Sequence, residues 1–279
     1  MEQLPLGDEP RRLFVCTPTR LTTWLDCPRR YRHTYLDRPP PPKGPPWAHL
    51  SLGTSVHNAM RAWWSLPVQQ RTPEAAARAV HEQWQTDGFR DDAQSADYRQ
   101  RAGDWAAGYV EHVDAADEPL GVERTVAMKT DRLAFSGRID RVDDRLVEGE
   151  REAVVVDYKT GRKTSTIDEA RSSLALALYA TSVARTLRLT CVQVELHHLP
   201  SGTTATWRHD EQTLARHLRR ATEIAEEAQD AEAAFAEGDR TDAFPARPGP
   251  SCTWCDFRLS CPEGRAASDQ TDPWSALPA

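Results

Sequence analysis

No stretch of this 279-residue sequence approaches the roughly 18 consecutive apolar residues that a membrane span requires, so no membrane segment is expected. The opening MEQLPLGDEPRR has no apolar run behind a basic start and does not read as a secretory signal. The expected location is therefore cytoplasmic, and a secreted disulfide scaffold is a poor reading of the six cysteines. No internal repeat and no Walker A sequence is present, so the chain has no nucleotide-driven motor of its own. No base-reading module is present either, and sequence-specific recognition of nucleic acid is not expected. A formal charge of -7 argues against a protein that coats nucleic acid non-specifically. An enzyme meeting phosphates in one local groove remains compatible with it.

With 9 Trp, 6 Tyr and 6 Phe, the chain can build a core despite a mean hydropathy of -0.65. Its length fits one large domain, or one domain with an insertion. Acidic and basic residues number 28 each over residues 1–209, whereas residues 210–242 hold 10 acidic and 4 basic ones. The excess acid thus lies on one expected helix, 210–242, where Leu214, Leu218, Ala221, Ala225 and Ala228 recur at helical spacing. That helix reads as a docking face or a solubilising surface.

Residues 1–18 read as a leader and residues 19–116 as a helical region. Thr19 is the expected cap of a helix carrying Leu21, Trp24 and Leu25; Cys27-Pro28 interrupts it. The run RPPPPKGPP (38–46) is an extended connection. Helices are expected from Gly53 to Leu66 and at about 73–86 and 96–115. Trp63, Trp64 and Trp105 read as core in preference to base-stacking surfaces. Strands follow at 121–129, 133–142 and 153–158, with a turn-like connection from Asp143-Asp144. A helix at 170–187 and strands at 191–199 and 204–209 complete the core, 117–209. The order predicts an α/β fold, its sheet flanked by helices, with the helical region before it and a cysteine-bearing tail, 243–279, after it.

The chemistry concentrates at two strand ends. Asp157 and Lys159 alternate onto one side of the apolar strand VVVDYK. If it pairs antiparallel with the strand before it, Asp140 lies beside Asp157. Two adjacent carboxylates repel, and Mg²⁺ or Mn²⁺ relieves the repulsion. A neighbouring lysine can orient water and offset phosphoryl charge. Phosphodiester hydrolysis asks for this set; a plain strand-end ion pair is the competing reading. Glu123 is either a further acid near the site or a solvated strand residue. Cys252-x2-Cys255-x5-Cys261-Pro262, with Cys27-Pro28, offers four thiolates to zinc or to an iron–sulfur cluster. Cys16 and Cys191 read as core packing. Arg29, Arg30 and Arg32, and Arg138, Arg141, Arg162 and Lys163 around the acidic site, read as phosphate contacts or as solvated charge.

Five segments, GTSVHNAM (53–60), FSGRIDRVD (135–143), VVVDYKTGRK (154–163), LALYA (176–180) and CTWCDFRLSC (252–261), together resemble the RecB-type branch of the PD-(D/E)xK nuclease superfamily, which includes the AddB and CRISPR-associated nucleases. The resemblance runs from about residue 19 to residue 264. It implies a restriction-endonuclease-like core. It implies that His57 contacts a metal, that Asp140 and Asp157 are its carboxylate ligands, and that the Tyr158 carbonyl completes the set. Lys159 is the implied catalytic lysine, and Tyr179 the implied cleft-facing tyrosine. Ala175 departs from the glutamine common in the branch, which bears on strand positioning. Cys27, Cys252, Cys255 and Cys261 are the implied ligands of a 4Fe–4S cluster that joins the chain ends. The implied activity is hydrolysis of DNA by an exonuclease on single-stranded ends in repair or recombination, leaving a 5′-phosphate, with a helicase partner for duplex. A CRISPR spacer-acquisition nuclease, a non-catalytic DNA-binding subunit of a helicase–nuclease complex, and an RNA-directed enzyme are the alternatives.

Overall fold

The run Ala153–Val156 is fully buried at the centre of a mixed sheet, in a computed structural model that describes residues 13–238, 241–269 and 271–278. Residues 1–12 of the expected leader lie outside the described residues. Its remainder is not loose: Phe14–Cys16 forms β1, with Phe14 and Cys16 buried. Three residues are too few to show a period-2 pattern in sequence.

Helix α1 (Pro18–Asp26) starts ahead of expectation. Thr17, not Thr19, caps it, accepting a hydrogen bond from the Arg20 N–H at 3.1 Å, because Pro18 is preset for the first helical position. Cys27 closes α1 and opens α2 (Pro28–Tyr35), as the residue before proline avoids helical dihedrals. Helices α3 (Ala48–Trp64), α4 (Pro73–Glu82) and α5 (Asp92–Val110) follow. They pack on Val154, Val156 and Tyr158 of the central strand.

Strand β2 (Gly121–Lys129) lies antiparallel to β3 (Leu133–Val147), whose first residues also pair in parallel with β1. The expected 143–152 connection is instead a continuation of β3 and β4 (Glu150–Lys159), closed by a two-residue turn. Glu148 (φ 52) and Gly149 (φ 86) both adopt left-handed backbone, as tight hairpins require. Asp143 and Asp144 stay in the strand because cations neutralise them: Arg141 and Arg145 reach Asp143 at 2.7 and 2.9 Å, and Arg151 reaches Asp144 at 2.5 Å.

The expected helix 170–187 is split into α6 (Ile167–Ser172) and α7 (Leu174–Leu187), since Ser173 turns extended and caps α7. Ala153 and Val155 bury their side of β4 with α7, so the central strand is covered on both faces. β5 (Thr190–His198) runs parallel to β4, and β6 (Thr203–Arg208) antiparallel to β5. Helix α8 (Glu211–Ala236) is shorter than the expected 210–242, of which residues 239 and 240 lie outside the described residues. Its buried Ala221, Ile224, Ala225 and Ala228 pack with Trp24, Tyr31 and Phe244. Part of its acid ties the fold together: Glu232 bonds Arg20 and Tyr31, Glu227 accepts from Trp24, and Glu226 pairs with Arg132. The tail forms α9 (Pro262–Ala267), after which Leu277 is buried and the Pro273 carbonyl accepts the Ala48 N–H at 3.1 Å. Among the described residues no helix is long and apolar enough to cross a membrane.

Candidate metal centre

The site lies where two paired strands part. The β3–β4 ladder ends at Arg141 opposite Val156, while β4 continues beside β5 to Lys159 opposite His198. Just past the fork, Asp140 accepts the Tyr158 backbone N–H at 2.8 Å, standing in for the missing ladder bond. The other Asp140 oxygen lies 3.2 Å from Nδ1 of His57, on α3. Nε2 of His57 lies 3.1 Å from the Tyr158 carbonyl oxygen. The ring therefore bridges a carboxylate and a main-chain carbonyl from the two parted strands. Asp157 and Lys159 follow on β4, the Lys159 Nζ 2.6 Å from Asp157.

Glu123 joins them from β2. The pairs Val122–Arg141 and Arg124–Ile139 flank it, so it stands across from Asp140. Its φ of 49 is left-handed, a strained conformation for a non-glycine residue. Ligand atoms of His57, Glu123 and Asp140 lie within 4.8 Å of one another, the one such group among the described residues. Period-2 alternation alone assigns Glu123 to solvent, which is why the sequence left it open. Arg138 pairs with it at 2.7 Å.

The electrostatics favour a cation among these groups. Burial pushes the Asp157 carboxyl up, and the Asp140 charge adds to this against the opposing Lys159. Burial and Asp140 likewise raise Glu123. Burial disfavours protonated His57, but its hydrogen bond to Asp140 and the two aspartate charges outweigh it, and its affinity for protons rises. Burial works against the Lys159 ammonium, yet the Asp157 partnership keeps it charged more firmly than usual. Carboxylates crowded in this way, with one imidazole and one carbonyl, form a donor set suited to Mg²⁺ or Mn²⁺.

His57, Glu123, Asp140 and Lys159 open into a cleft of about 1130 Å³ that also exposes Arg162, Lys163 and Tyr179; Asp157 is not among its lining residues. Tyr179 is held protonated, its hydroxyl pushed up to about 12 by burial and by Asp157 and Asp140. It lies against Gly137, where a Cβ would come within 2.5 Å of the ring, so a side chain there would push Tyr179 out of place. Ala175, on the same helix α7, is not among the cleft-lining residues.

Behind the site a buried network fixes Tyr158. Its hydroxyl meets Arg141 at 3.0 Å and the Trp64 indole at 3.1 Å, and Arg141 also bonds Tyr109 and Asp143. Arg141, expected as a phosphate contact, is 3 % exposed and serves this network instead. Its alternation to the far side of β3 from Asp140 decides this. Trp63 and Trp64 are core, and Trp105 packs partly buried beside them.

The remaining basic run lies elsewhere. Arg29 and Arg30 are not among the cleft-lining residues; they line a second, small pocket together with Cys27, Cys252, Cys255 and Cys261. Arg29 bonds the Phe244 carbonyl, Arg30 pairs with Asp26 at 3.8 Å and Arg32 with Asp37 at 2.9 Å. The four thiols are free of disulfides. Backbone N–H groups of Arg247 and Gly264 point at the sulfurs of Cys27 and Cys261, at 3.5 and 3.3 Å. Cys16 and Cys191 are buried in the core, and burial raises both thiols to about 12.

Among solved structures, the chain is similar to the crystal structure of SSO0001, at 15% identity and a TM-score of 0.33, covering 93% of this chain and 89% of that one. No curated protein matches it. The model of the PD-(D/E)XK nuclease superfamily matches residues 15–262, which include the parted strands, His57, Lys159 and all four pocket cysteines. The chain belongs to the PD-(D/E)XK nuclease superfamily.

Proposed function

We propose that this protein is a cytoplasmic, metal-dependent deoxyribonuclease of the RecB type, acting as an exonuclease on single-stranded DNA ends in repair or recombination. The observation that carries the reading is the fork itself, where His57, Glu123 and Asp140 converge beside the Asp157–Lys159 pair in a cleft with cationic walls. His57, Asp140, Asp157 and the Tyr158 carbonyl, with Glu123 alongside, would hold a divalent cation, which would supply Lewis-acid polarisation of the scissile phosphate and a more acidic water. Lys159, anchored by Asp157, orients the attacking water and offsets charge on the phosphoryl oxygens. Arg162 and Lys163 hold neighbouring phosphates. Tyr179 stays protonated and donates to the strand. Hydrolysis in one step leaves a 5′-phosphate. Duplex substrates require a helicase partner, because the chain has no nucleotide-binding motif.

We infer that Cys27, Cys252, Cys255 and Cys261 hold a 4Fe–4S cluster that fastens the chain ends together. Support comes from four free thiols around one pocket, two of them receiving backbone N–H groups, the usual partners of cluster thiolates. A single zinc, at about 2.3 Å from each sulfur, gathers thiolates to roughly 4 Å of one another. No three cysteine sulfurs lie within 4.8 Å of one another among the described residues, so they are not gathered to that spacing.

The test is cleavage of end-labelled linear and circular single-stranded DNA by anaerobically purified protein, in Mg²⁺, Mn²⁺ or EDTA, with the visible spectrum read on the same sample. Metal-dependent shortening of the linear strand, lost in Lys159→Ala, is expected from a brown protein. Cutting of the circle would make it an endonuclease. Absence of cutting by folded, metal-loaded protein would sink the catalytic reading in favour of a binding subunit.

A further inference from the structure

We propose that Trp254 is a base-stacking subsite at the mouth of the cleft, and that its ligand is an unpaired nucleobase of a strand whose phosphates lie along Arg162 and Lys163. The inference rests on the nuclease reading above and specifies how that site selects single strands. Of the nine tryptophans, Trp254 is the one among the cleft-lining residues, on a surface shared with His57, Asp140 and Lys159. It is 38 % exposed, whereas Trp24, Trp47, Trp63 and Trp64 are buried. An indole that open, beside the charged groups of the cleft, presents a large apolar face that water covers poorly.

Its mounting is stiff. Trp47 lies edge-on to it at 5.1 Å between ring centres, and His49 at 5.9 Å. Trp47 is itself fixed by the buried Arg258 guanidinium, 4.5 Å from its ring centre. This aromatic backing prevents the Trp254 ring from folding into the core and holds it ready for a ligand. The cations that would hold the backbone are free: Arg162 and Lys163 are exposed and have no carboxylate partner among the described residues.

The chemistry of that pairing selects its ligand. Bases in a duplex stack on one another, whereas a single strand offers its π-faces. Stacking accepts every base, in keeping with a sequence that has no base-reading module. Trp254 also lies between Cys252 and Cys255, so the cysteine segment furnishes one wall of the cleft.

The test is fluorescence anisotropy in EDTA, where hydrolysis does not run, using labelled oligothymidylate, the same strand made of abasic sugars, and a blunt duplex. Trp254→Ala is expected to weaken oligothymidylate binding roughly 5- to 100-fold. Trp254→Phe retains most of the affinity, and Trp254→Leu, which keeps apolar bulk without a π-face, loses it as alanine does. The abasic strand is expected to bind wild type and all three variants alike. Equal binding of oligothymidylate by wild type, alanine and leucine variants would overturn the subsite, as would an equal loss on the abasic strand. In that case wild-type cleavage in Mg²⁺ still supports the nuclease reading. A wild-type protein that neither binds nor cuts any of the strands would overturn both.

Discussion

The chain carries two groups of metal-competent side chains, and they are supported in opposite ways. His57, Glu123, Asp140, Asp157 and Lys159 hang on a long helix and three paired strands, so ladder register and core packing set their places. Cys27 sits at the joint of two helices, Cys252 and Cys255 in and after a short 3₁₀ turn, and Cys261 at the cap of a six-residue helix. None of those four is held by a strand ladder. The acidic site is therefore preorganised before any ligand arrives, whereas the proposed cluster would give the cysteine pocket its rigidity.

The largest expected effect separates the two most sharply. Asp140→Asn should reduce cleavage by about 10³-fold or more, as loss of a central electrostatic group does, while visible absorbance and melting temperature stay near wild type. A fall in iron content in that variant would show that the two sites are not independent. Next, Arg141→Met should destabilise the fold by roughly 1–3 kcal/mol in urea, because it removes buried hydrogen bonds to Tyr158 and Tyr109 and leaves Asp143 to Arg145 alone. The same variant should weaken Mn²⁺ binding, measured calorimetrically on folded protein, since Tyr158 loses its anchor. Unchanged Mn²⁺ affinity would break the claim that the network positions the site.

Cys27→Ala should lose colour and about 10 °C of melting temperature together, by analogy with opening a long covalent loop. Retained iron in this variant would reassign the fourth ligand. The smallest effect is a pH response in the buried network behind the acidic site. Burial opposes ionisation of Glu195, but hydrogen bonds from His197 and Arg145 hold its carboxyl down to about 2. A carboxyl depressed in the fold stabilises above its unfolded value near 4.5 and loses that contribution as pH falls toward 2. Between pH 6 and pH 3 the loss should be roughly 2 kcal/mol. Urea midpoints of wild type and Glu195→Gln should therefore converge on acidification; parallel curves would show that Glu195 does not carry the effect.

Much of the acidic site is readable from the chain because it lies on regular elements. The continuous apolar run of β4 announces a buried strand, and alternation then assigns Asp157 and Lys159 to one side. The same alternation, followed one residue past Asp140, would have withdrawn Arg141 from the phosphate contacts. Glu123 was not recoverable by that rule, because a left-handed backbone at a single residue defeats alternation. The closed end of the β3–β4 hairpin reads as a connection in the sequence, since Asp143 and Asp144 look like turn formers until Arg141, Arg145 and Arg151 neutralise them.

By itself, the sequence determined the order of helices and strands, the buried central strand and the acidic and basic residues at its end, because hydrophobic periodicity and alternation are local properties of the chain. Only the tertiary structure decided that β3 and β4 part at Asp140, that Glu123 reaches His57, that Arg29 and Arg30 do not line the cleft, and that Trp254 comes to line it. Each of these depends on segments distant along the chain meeting in space, and that meeting is set by packing and charge compensation that no local pattern encodes.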